Sequence, residues 1–228
     1  MLSDQDVHLW CASLDQPAFR LEELKQTLSE DEQARAERFY FERDRRRFIL
    51  RRGLLRLLLG DYLGVAANCV QFSYGHHGKP ALTEPFSEQK LQFNLSHSQG
   101  IALYAFALGR DLGVDVERLR PIDEADQMME RFFSPDEKDA IRAAPADERH
   151  STFLRCWIRK EAYVKALGAG LTWPLDVFSV PLGAEESAQP VTIRGNSKEA
   201  SRWFVQGFVP VPDYVAAVVA EGDGWKCQ

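Results

Sequence analysis

The first third of the chain has the residue spacing of two helices. Residues Leu21–Phe39 are rich in Glu, Gln, Ala and Arg, which favour a helix. Ser29 and Glu32 are three residues apart, the spacing of a capping box, so we predict that the helix begins again at Ser29. A second helix is predicted over Arg43–Tyr62, where apolar residues recur at helical spacing until nearby glycines end it.

Strand-like runs occupy much of the remaining chain. The predicted strands are Val70–Tyr74, Leu91–Leu95, Ile101–Leu108, Leu112–Glu117, Val177–Val180, Trp203–Val209 and Tyr214–Ala220. One more helix, Ser151–Leu167, separates the fourth strand from the fifth. We predict a loop at Ser96–Gly100, a loop or irregular strand at Pro181–Ser201, and a loose tail at Gly222–Gln228. A helix followed by three strands thus occurs twice, which indicates two similar subdomains joined near Arg110.

The composition is ordinary for a globular protein. With 228 residues the chain is long enough for one large domain or two small ones, and it is 45% hydrophobic and 27% charged. No run is long enough for a membrane helix, and the first residues are acidic where a signal peptide needs positive charge. The four cysteines include no CxxC pair, which argues against a disulfide framework and a structural zinc site. Together these features predict a cytoplasmic protein with no membrane partner.

Charge is distributed unevenly along the chain. The formal net charge is −6, but Arg35–Arg56 contains nine arginines and three acidic residues, so the rest of the chain must carry −12. A local basic segment in an acidic protein suits one compact, highly charged anion better than a long polyanion. An arginine run can also be a solvated helix face or a nucleic-acid patch, but no aromatic platform or nucleic-acid motif accompanies it. We therefore predict no nucleic-acid partner.

Two acidic residues are predicted to share one face of the fourth strand. Residues Gly113–Glu117 alternate between apolar and acidic side chains, and successive strand side chains point to opposite faces. Asp115 and Glu117 would therefore lie on one face, about 6.5–7 Å apart along the strand, with the two valines facing the core. Two such carboxylates can bind one Mg²⁺ together with substrate phosphates. The alternative, which this short segment alone favours, is an edge strand with two solvated acids.

The helix Ser151–Leu167 has charged residues where its apolar face should continue. Its apolar stripe consists of Phe153, Trp157, Val164 and Leu167. Lys160 and Glu161 interrupt this stripe, and a charge in a buried position is costly unless it is paired or bound to a metal. Lys165 lies one turn after Glu161, so a weak Glu-to-Lys pair on the helix surface is the simpler interpretation. That pair does not explain why the stripe is interrupted.

Short motifs follow one another through most of the chain between Leu28 and Val180. They are Arg38-Phe39-Tyr40, Gly78-Lys79-Pro80, Phe93–Ser98, Leu112–Glu117, Trp157–Gly168 and Pro174–Val180. In this order they resemble the 4'-phosphopantetheinyl transferases, whose paired signature is matched by the fourth and fifth motifs. The separation of 44 residues between Glu117 and Glu161 fits as well. The likeness is closest to the monomeric type that activates surfactin synthetase, rather than to the shorter trimeric holo-acyl-carrier-protein synthases.

The resemblance implies a role for each matching residue. Asp115, Glu117 and Glu161 resemble the magnesium ligands of the family. The positions implied to contact coenzyme A are Lys160, Lys165, Ser96 and His97 at the phosphates, Lys79 and Pro80 beside the adenine, and Arg35 and Arg47 toward the 3'-phosphate. One departure is Glu32, which stands where surfactin-type enzymes have a lysine. Binding of the 3'-phosphate is therefore expected to be weaker, or to be redistributed to Arg43, Arg46 or Arg51.

The resemblance also implies a fold and a reaction. The family fold is an α+β pseudo-dimer of two similar subdomains, each a long helix packed on a small antiparallel sheet, with the active site in the cleft between them. Here the subdomains would be residues 1–109, on the coenzyme A side, and residues 110–228, with the carboxylates. The implied reaction transfers the 4'-phosphopantetheine group of coenzyme A to a serine of an acyl or peptidyl carrier protein, with Mg²⁺ as cofactor. Glu161 would take the serine proton, directly or through a metal-bound water, and Lys165 would offset charge on the phosphates.

Two other functions are compatible with the same residues. A magnesium-dependent pyrophosphohydrolase of coenzyme A or nucleotides would use similar carboxylates but would activate water and need no carrier protein. A catalytically silent module that binds carrier proteins would keep the fold and lose the metal site. All three acids are present in this chain, which argues against the silent module.

Overall fold

The computed structural model describes residues 2–15, 21–170, 173–183, 187–193 and 202–228. The α-helices in these ranges are α1 (Leu21–Thr27), α2 (Glu30–Glu37), α3 (Glu42–Leu63), α4 (Ala125–Phe132), α5 (Pro135–Ala143) and α6 (Arg149–Leu167). The strands are β1 (Asp6–Ser13), β2 (Phe72–Tyr74), β3 (Pro80–Leu82), β4 (Leu91–Ser98), β5 (Ile101–Leu108), β6 (Leu112–Arg118), β7 (Phe178–Ser179), β8 (Gln189–Pro190), β9 (Thr192–Ile193), β10 (Trp203–Phe208), β11 (Tyr214–Glu221) and β12 (Lys226–Cys227). None of the helices in these ranges is long and apolar enough to cross a membrane.

The same arrangement of strands occurs in both halves of the chain. One sheet has the order β12-β1-β5-β4 and the other has the order β6-β11-β10-β8. In each, a first strand is followed by helices and then by an antiparallel hairpin whose second strand pairs with the first strand. The predicted α+β class with two similar halves is confirmed. The repeated unit, however, begins with a strand, and the prediction missed β1 because Val7 is the one residue of β1 that is fully buried.

The two sheets pack face to face, with the long helices on the outside. One apolar cluster lies between α3 and the first sheet, and a second between α6 and the second sheet. A third fills the space between the sheets and includes Val7, Leu103, Ala105, Val114, Val116, Ala216 and Val218. Strand alternation explains this division, because on β5 Tyr104 faces α3 while its neighbours Leu103 and Ala105 face the other sheet. The layers are therefore helix, sheet, sheet and helix.

The helices of the first half begin and end as their sequences predict. Ser29 is the N-cap of α2, and Glu32 completes the capping box. Helix α3 ends at Gly64, whose φ of 70° is in the left-handed region that favours glycine.

Helices α4 and α5, in the second half, were not predicted. Helix α5 begins with its own capping box, formed by Ser134 and Glu137.

Two predicted loops are ordered strands in the structure. Strand β4 extends to Ser98, so Ser96 and His97 lie on a strand and not in the predicted loop Ser96–Gly100. The predicted loose tail Gly222–Gln228 contains β12, which pairs in parallel with β1. A strand of two residues has no alternation of its own, so a sequence pattern could not reveal it.

The segment after α6 is less regular than predicted. The predicted strand Val177–Val180 is reduced to β7, because Leu175–Val177 forms a turn of 3₁₀ helix. The segment Pro181–Ser201, predicted as a loop or irregular strand, lies partly outside the described residues. Its described part includes the short strands β8 and β9.

Candidate active site

A cleft opens where the two halves of the molecule meet. Strand β4 is an edge of the first sheet and β6 is an edge of the second. Side chains join these edges, as where the Val114 N–H donates to Asn94 Oδ1 at 3.0 Å. The cleft has a volume of about 370 Å³. Its walls include Arg51, Lys79, Pro80 and His97 from the first half and Glu161 and Lys165 from α6.

Close packing of α6 on β6 brings the acidic residues of the two elements together. A Cβ added to Gly113 on β6 would lie 2.1 Å from the Ala162 carbonyl oxygen and 2.3 Å from the Ala166 nitrogen. Both distances are far inside van der Waals contact, so glycine is required for this approach. Helix α6 therefore lies directly on the face of β6 that holds Asp115, and Glu161 projects from the same helix.

Asp115 is buried and accepts two short hydrogen bonds. Only 5% of the residue is exposed. Its Oδ1 accepts from Ser96 Oγ at 2.7 Å and from Lys165 Nζ at 2.5 Å, and Lys165 Nζ also donates to Ser96 Oγ at 2.9 Å. The simpler sequence interpretation paired Lys165 with Glu161, but its direct ion pair is with Asp115. This pairing compensates the charge of a carboxylate that would otherwise be costly to bury.

Glu117 is held by a hydroxyl from the other half of the molecule. Ser98 Oγ donates to Glu117 Oε2 at 2.6 Å. Burial raises the pKa of Glu117, and the charge of Asp115 adds to this effect while the Ser98 hydrogen bond opposes it. Sequence reasoning missed Ser98, although Asn94, Ser96 and Ser98 alternate along β4 and so share one face.

Glu161 is the third acid of the group. Burial, and then the nearby charge of Asp115, raise its pKa to about 7, although Lys165 acts in the opposite direction and Glu117 adds a smaller rise. The three carboxylates therefore influence one another electrostatically. Within the described ranges, no three His, Cys, Asp or Glu side chains are already arranged around one metal position. Asp115 is instead bound to Lys165.

Positive charges surround His97 on the side of the cleft formed by the first half. Burial first, and then the charges of Arg51, Lys165 and Arg47, hold the pKa of His97 at about 4, so its imidazole is neutral at physiological pH. Burial also lowers the pKa of Arg51 to about 10, which still leaves it charged. A neutral imidazole among cations provides a hydrogen-bonding group at a place where an anion is favoured.

Arg35 and Arg47 are the two arginines that the resemblance implies at the 3'-phosphate. Arg35 lies near Arg51, and Arg47 lies near His97. Arg47 Nε and Nη2 each donate to Asp15 at 2.6 Å. The Arg35 guanidinium lies 5.4 Å from the centre of the Phe48 ring. Arg35 is also close enough to Arg51 for its charge to lower the pKa of that residue. Of these three arginines, the one that lines the cleft itself is Arg51.

Lys79 joins the two halves of the molecule. Its Nζ donates to the carbonyl oxygens of Leu112 at 3.1 Å and Ala166 at 2.9 Å. Ala166 is in the last turn of α6, where backbone carbonyls have no partner within the helix. Lys79 therefore caps α6 from the other half, and the neighbouring Pro80 lines the cleft beside it.

Lys160 lies away from the cleft, which corrects its implied contact with the phosphates. Its side chain is fully buried and forms an ion pair with Glu137 at 2.8 Å. The ammonium also donates to the carbonyl oxygens of Leu175 at 2.8 Å and Phe178 at 2.7 Å. Lys160 interrupts the apolar stripe of α6, and its partners in the core of the second half explain this interruption. Lys160 therefore belongs to that core and does not line the cleft.

Glu32 also points into the protein interior. Only 3% of the residue is exposed, and it forms ion pairs with Arg52 and Arg56, the latter at 2.6 Å. The presence of Glu32, where surfactin-type enzymes have a lysine, is therefore a change in the interior of the first half. Of the arginines expected to compensate for it, Arg51 is in the cleft wall, whereas Arg43 contacts Asp44 at the surface.

Comparisons with known proteins agree with this architecture. Residues 10–107 match the family described as "4'-phosphopantetheinyl transferase, N-terminal", and residues 111–219 match the "4'-phosphopantetheinyl transferase superfamily". Along the chain, the boundary between the two matches falls where β5 of the first sheet is followed by β6 of the second sheet.

Individual relatives are similar over most of their length. The 4'-phosphopantetheinyl transferase HetI of a Nostoc species is 44% identical over 226 residues, which are 99% of this chain and 92% of HetI. The 4'-phosphopantetheinyl transferase psf-1 of Bacillus pumilus is 33% identical, with 87% of this chain and 81% of psf-1 covered. The Sfp protein of Bacillus subtilis is 32% identical, with 68% of this chain and 66% of Sfp covered. The chain therefore belongs to the 4'-phosphopantetheinyl transferase superfamily.

Proposed function

We propose that this protein transfers the 4'-phosphopantetheine group of coenzyme A to a serine of an acyl or peptidyl carrier protein. The observation that supports this most is the cleft between the halves, where Glu161 lies with Lys165, Arg51 and His97, and where Lys165 also binds Asp115. A pyrophosphate bound there would meet cations directly, and a metal held by the carboxylates could neutralise its remaining charge. The relatives named above are themselves phosphopantetheinyl transferases.

We propose Asp115, Glu117 and Glu161 as the ligands of one Mg²⁺. Carboxylate oxygens are the ligands that Mg²⁺ prefers. Burial, and after it repulsion between the acids, raises the pKa of Glu117 and Glu161, and a cation would relieve that repulsion. Bound there, the ion would supply Lewis-acid stabilisation of the substrate phosphates.

We place the pyrophosphate of coenzyme A against Lys165, Arg51 and His97. Ser96 shares a hydrogen bond with the Lys165 ammonium and would border the same phosphates. Phosphate groups favour this environment because each charge-assisted contact is about twice as strong as a neutral hydrogen bond.

The rest of coenzyme A is proposed to lie along the first half, residues 1–109. Its adenine would be next to Lys79 and Pro80, and its 3'-phosphate near Arg35 and Arg47. Arg47 is bound to Asp15, so it would be shared with the phosphate or exchanged for it. The second half, residues 110–228, would then provide the carboxylates and α6.

The proposed reaction is a displacement at phosphorus. The carrier serine oxygen bonds to the β-phosphorus of coenzyme A, the bond from that phosphorus to the bridging oxygen breaks, and adenosine 3',5'-bisphosphate leaves. The serine proton moves to Glu161, directly or through one water, because this carboxylate lines the cleft beside Lys165. The Lys165 ammonium offsets charge on the phosphates. Positioning and charge compensation, rather than covalent catalysis, are the protein's contributions.

Intact-mass analysis of carrier proteins tests this proposal. Several purified apo carriers would be incubated with the protein, coenzyme A and Mg²⁺, each beside a variant whose acceptor serine is alanine. We expect at least one carrier to gain the mass of one phosphopantetheine, and its alanine variant to stay unchanged. Hydrolysis of coenzyme A with no carrier modified would instead support the pyrophosphohydrolase. Neither carrier loading nor hydrolysis would support the silent binding module.

We also propose that the enzyme acts in the cytoplasm as a monomer. Cys11, Cys69, Cys156 and Cys227 are all free thiols, which fits a reducing compartment. Both walls of the cleft come from one chain, so the proposed site does not require a second copy.

A further inference from the structure

A ladder of side chains joins the edges of the two main sheets. Its members on β4 share one face of the strand, because they alternate along it. Their partners on β6 advance in the same direction along that strand. The three rungs are Asn94 with the Val114 N–H, Ser96 with Asp115, and Ser98 with Glu117.

The last rung fixes the direction of the Ser98 hydroxyl proton. Ser98 Oγ accepts from the backbone N–H of Arg118 at 3.3 Å and donates to Glu117 Oε2 at 2.6 Å. A serine hydroxyl has one proton, and the oxygen already accepts a hydrogen bond from the backbone, so the proton is directed at the carboxylate. Ser98 is only 6% exposed, which limits competition from water.

The middle rung repeats this pattern beside the cleft. Ser96 Oγ accepts from Lys165 Nζ at 2.9 Å and donates to Asp115 Oδ1 at 2.7 Å. Each of these two serines on β4 therefore accepts a hydrogen bond from one N–H group and donates a hydrogen bond to one carboxylate on β6. The repetition indicates that the first half orients both acids of the second half.

We propose that Ser98 is a positioning residue, which holds Glu117 in the orientation in which that residue binds the divalent cation. This inference rests on the proposed metal site. A glutamate side chain that is free to rotate must lose rotamer freedom when it binds a metal, whereas one already held by a hydrogen bond loses less. Because Ser98 belongs to the first half, the metal affinity of the second half depends on how the halves are docked.

The test measures binding of Mg²⁺, and not activity alone. The full-length protein would be titrated with MgCl₂ by calorimetry at a fixed coenzyme A concentration, and kcat and KM would be measured across the same Mg²⁺ range. We expect Ser98→Ala to weaken Mg²⁺ binding by about 10–100-fold. Its turnover should approach that of the unsubstituted protein at saturating Mg²⁺. Ser98→Thr, which keeps the hydroxyl, should recover most of the affinity, and Ser73→Ala on the exposed face of β2 should change nothing.

Two results would overturn this role. Unchanged Mg²⁺ affinity in Ser98→Ala would show that the hydroxyl does not position Glu117. Equal loss of affinity in Ser98→Ala and Ser98→Thr, with equally lowered melting temperatures, would show that Ser98 acts through packing. Failure of the proposed function would look different, since the unsubstituted protein would then bind Mg²⁺ without loading any carrier. Absence of Mg²⁺ binding to the unsubstituted protein would overturn the metal site and this role together.

Discussion

Lys160 and Lys165 lie five residues apart on α6 and have opposite surroundings. Five residues correspond to about one and two-fifths turns, so the two side chains leave the helix in different directions. Lys160 is fully buried against Glu137, while the Lys165 side chain is 30% exposed and bound to Asp115 at the cleft. One family motif thus provides a lysine for the core and another for the candidate site.

Matched substitutions separate these two roles. Lys160→Met leaves Glu137 as an unpaired buried charge, so we expect it to reduce the free energy of unfolding by about 3–5 kcal/mol. Lys165→Met should change stability much less, because the Lys165 side chain is itself 30% exposed and Asp115 keeps the hydrogen bond from Ser96, but it should abolish most turnover. Urea denaturation and carrier-loading rates measure both effects. A stable Lys160→Met variant without activity would contradict the structural role, and the double variant Lys160→Met with Glu137→Gln should regain much of the lost stability.

At the scale of elements, the contact between α6 and β6 determines where the acids meet. Gly113 allows the helix backbone to approach the strand, and Lys79 fixes the end of the same helix from the other half. Both contacts hold the C-terminal part of α6, just after Glu161, against the start of β6. A small displacement of α6 would separate Glu161 from Asp115.

Gly113→Ala tests this contact. The added methyl group would overlap the backbone of α6, so we expect a loss of about 1–3 kcal/mol in the free energy of unfolding. We also expect a fall in turnover that excess Mg²⁺ does not restore, because the helix itself is displaced. Gly75→Ala is the matched control, since the nearest atom to its added Cβ is 3.7 Å away. Equal stability and activity of the two variants would show that the approach of α6 is not critical.

The sequence pattern predicted what depends on neighbours along the chain. Alternation correctly placed Val114 and Val116 in the core, and the interrupted stripe of α6 correctly indicated that Lys160 needs a buried partner. That partner, Glu137, could not be identified, because it is on α5, a helix that was not predicted. Ser98 was missed because the predicted strand ended at Leu95, and because the contact of Ser98 with Glu117 depends on how β4 lies against β6.

At the scale of the whole molecule, each half contributes residues to the structure of the other. The C-terminal strand β12 returns to the first sheet, and Trp225 beside it is only 4% exposed in the core between the sheets. The first half in turn supplies Ser96 and Ser98 to the acids of the second. These contacts join residues that are far apart in the chain, and they leave no periodic pattern in the sequence. They explain why the cleft needs both halves of one chain.

The rate of carrier loading by Glu161→Gln tests the central claim most directly, because Glu161 is assigned both to the metal and to the serine proton. This change keeps the size of the side chain and removes its charge. The exposed Glu88→Gln is the control, and intact mass spectrometry of one carrier would follow all three proteins with coenzyme A and Mg²⁺. We predict that the unsubstituted protein and Glu88→Gln load the carrier at similar rates, while Glu161→Gln is slower by at least about 100-fold with no loss of thermal stability. Loading by Glu161→Gln within about twofold of the control, a change far below what loss of a general base causes, would contradict the assigned site.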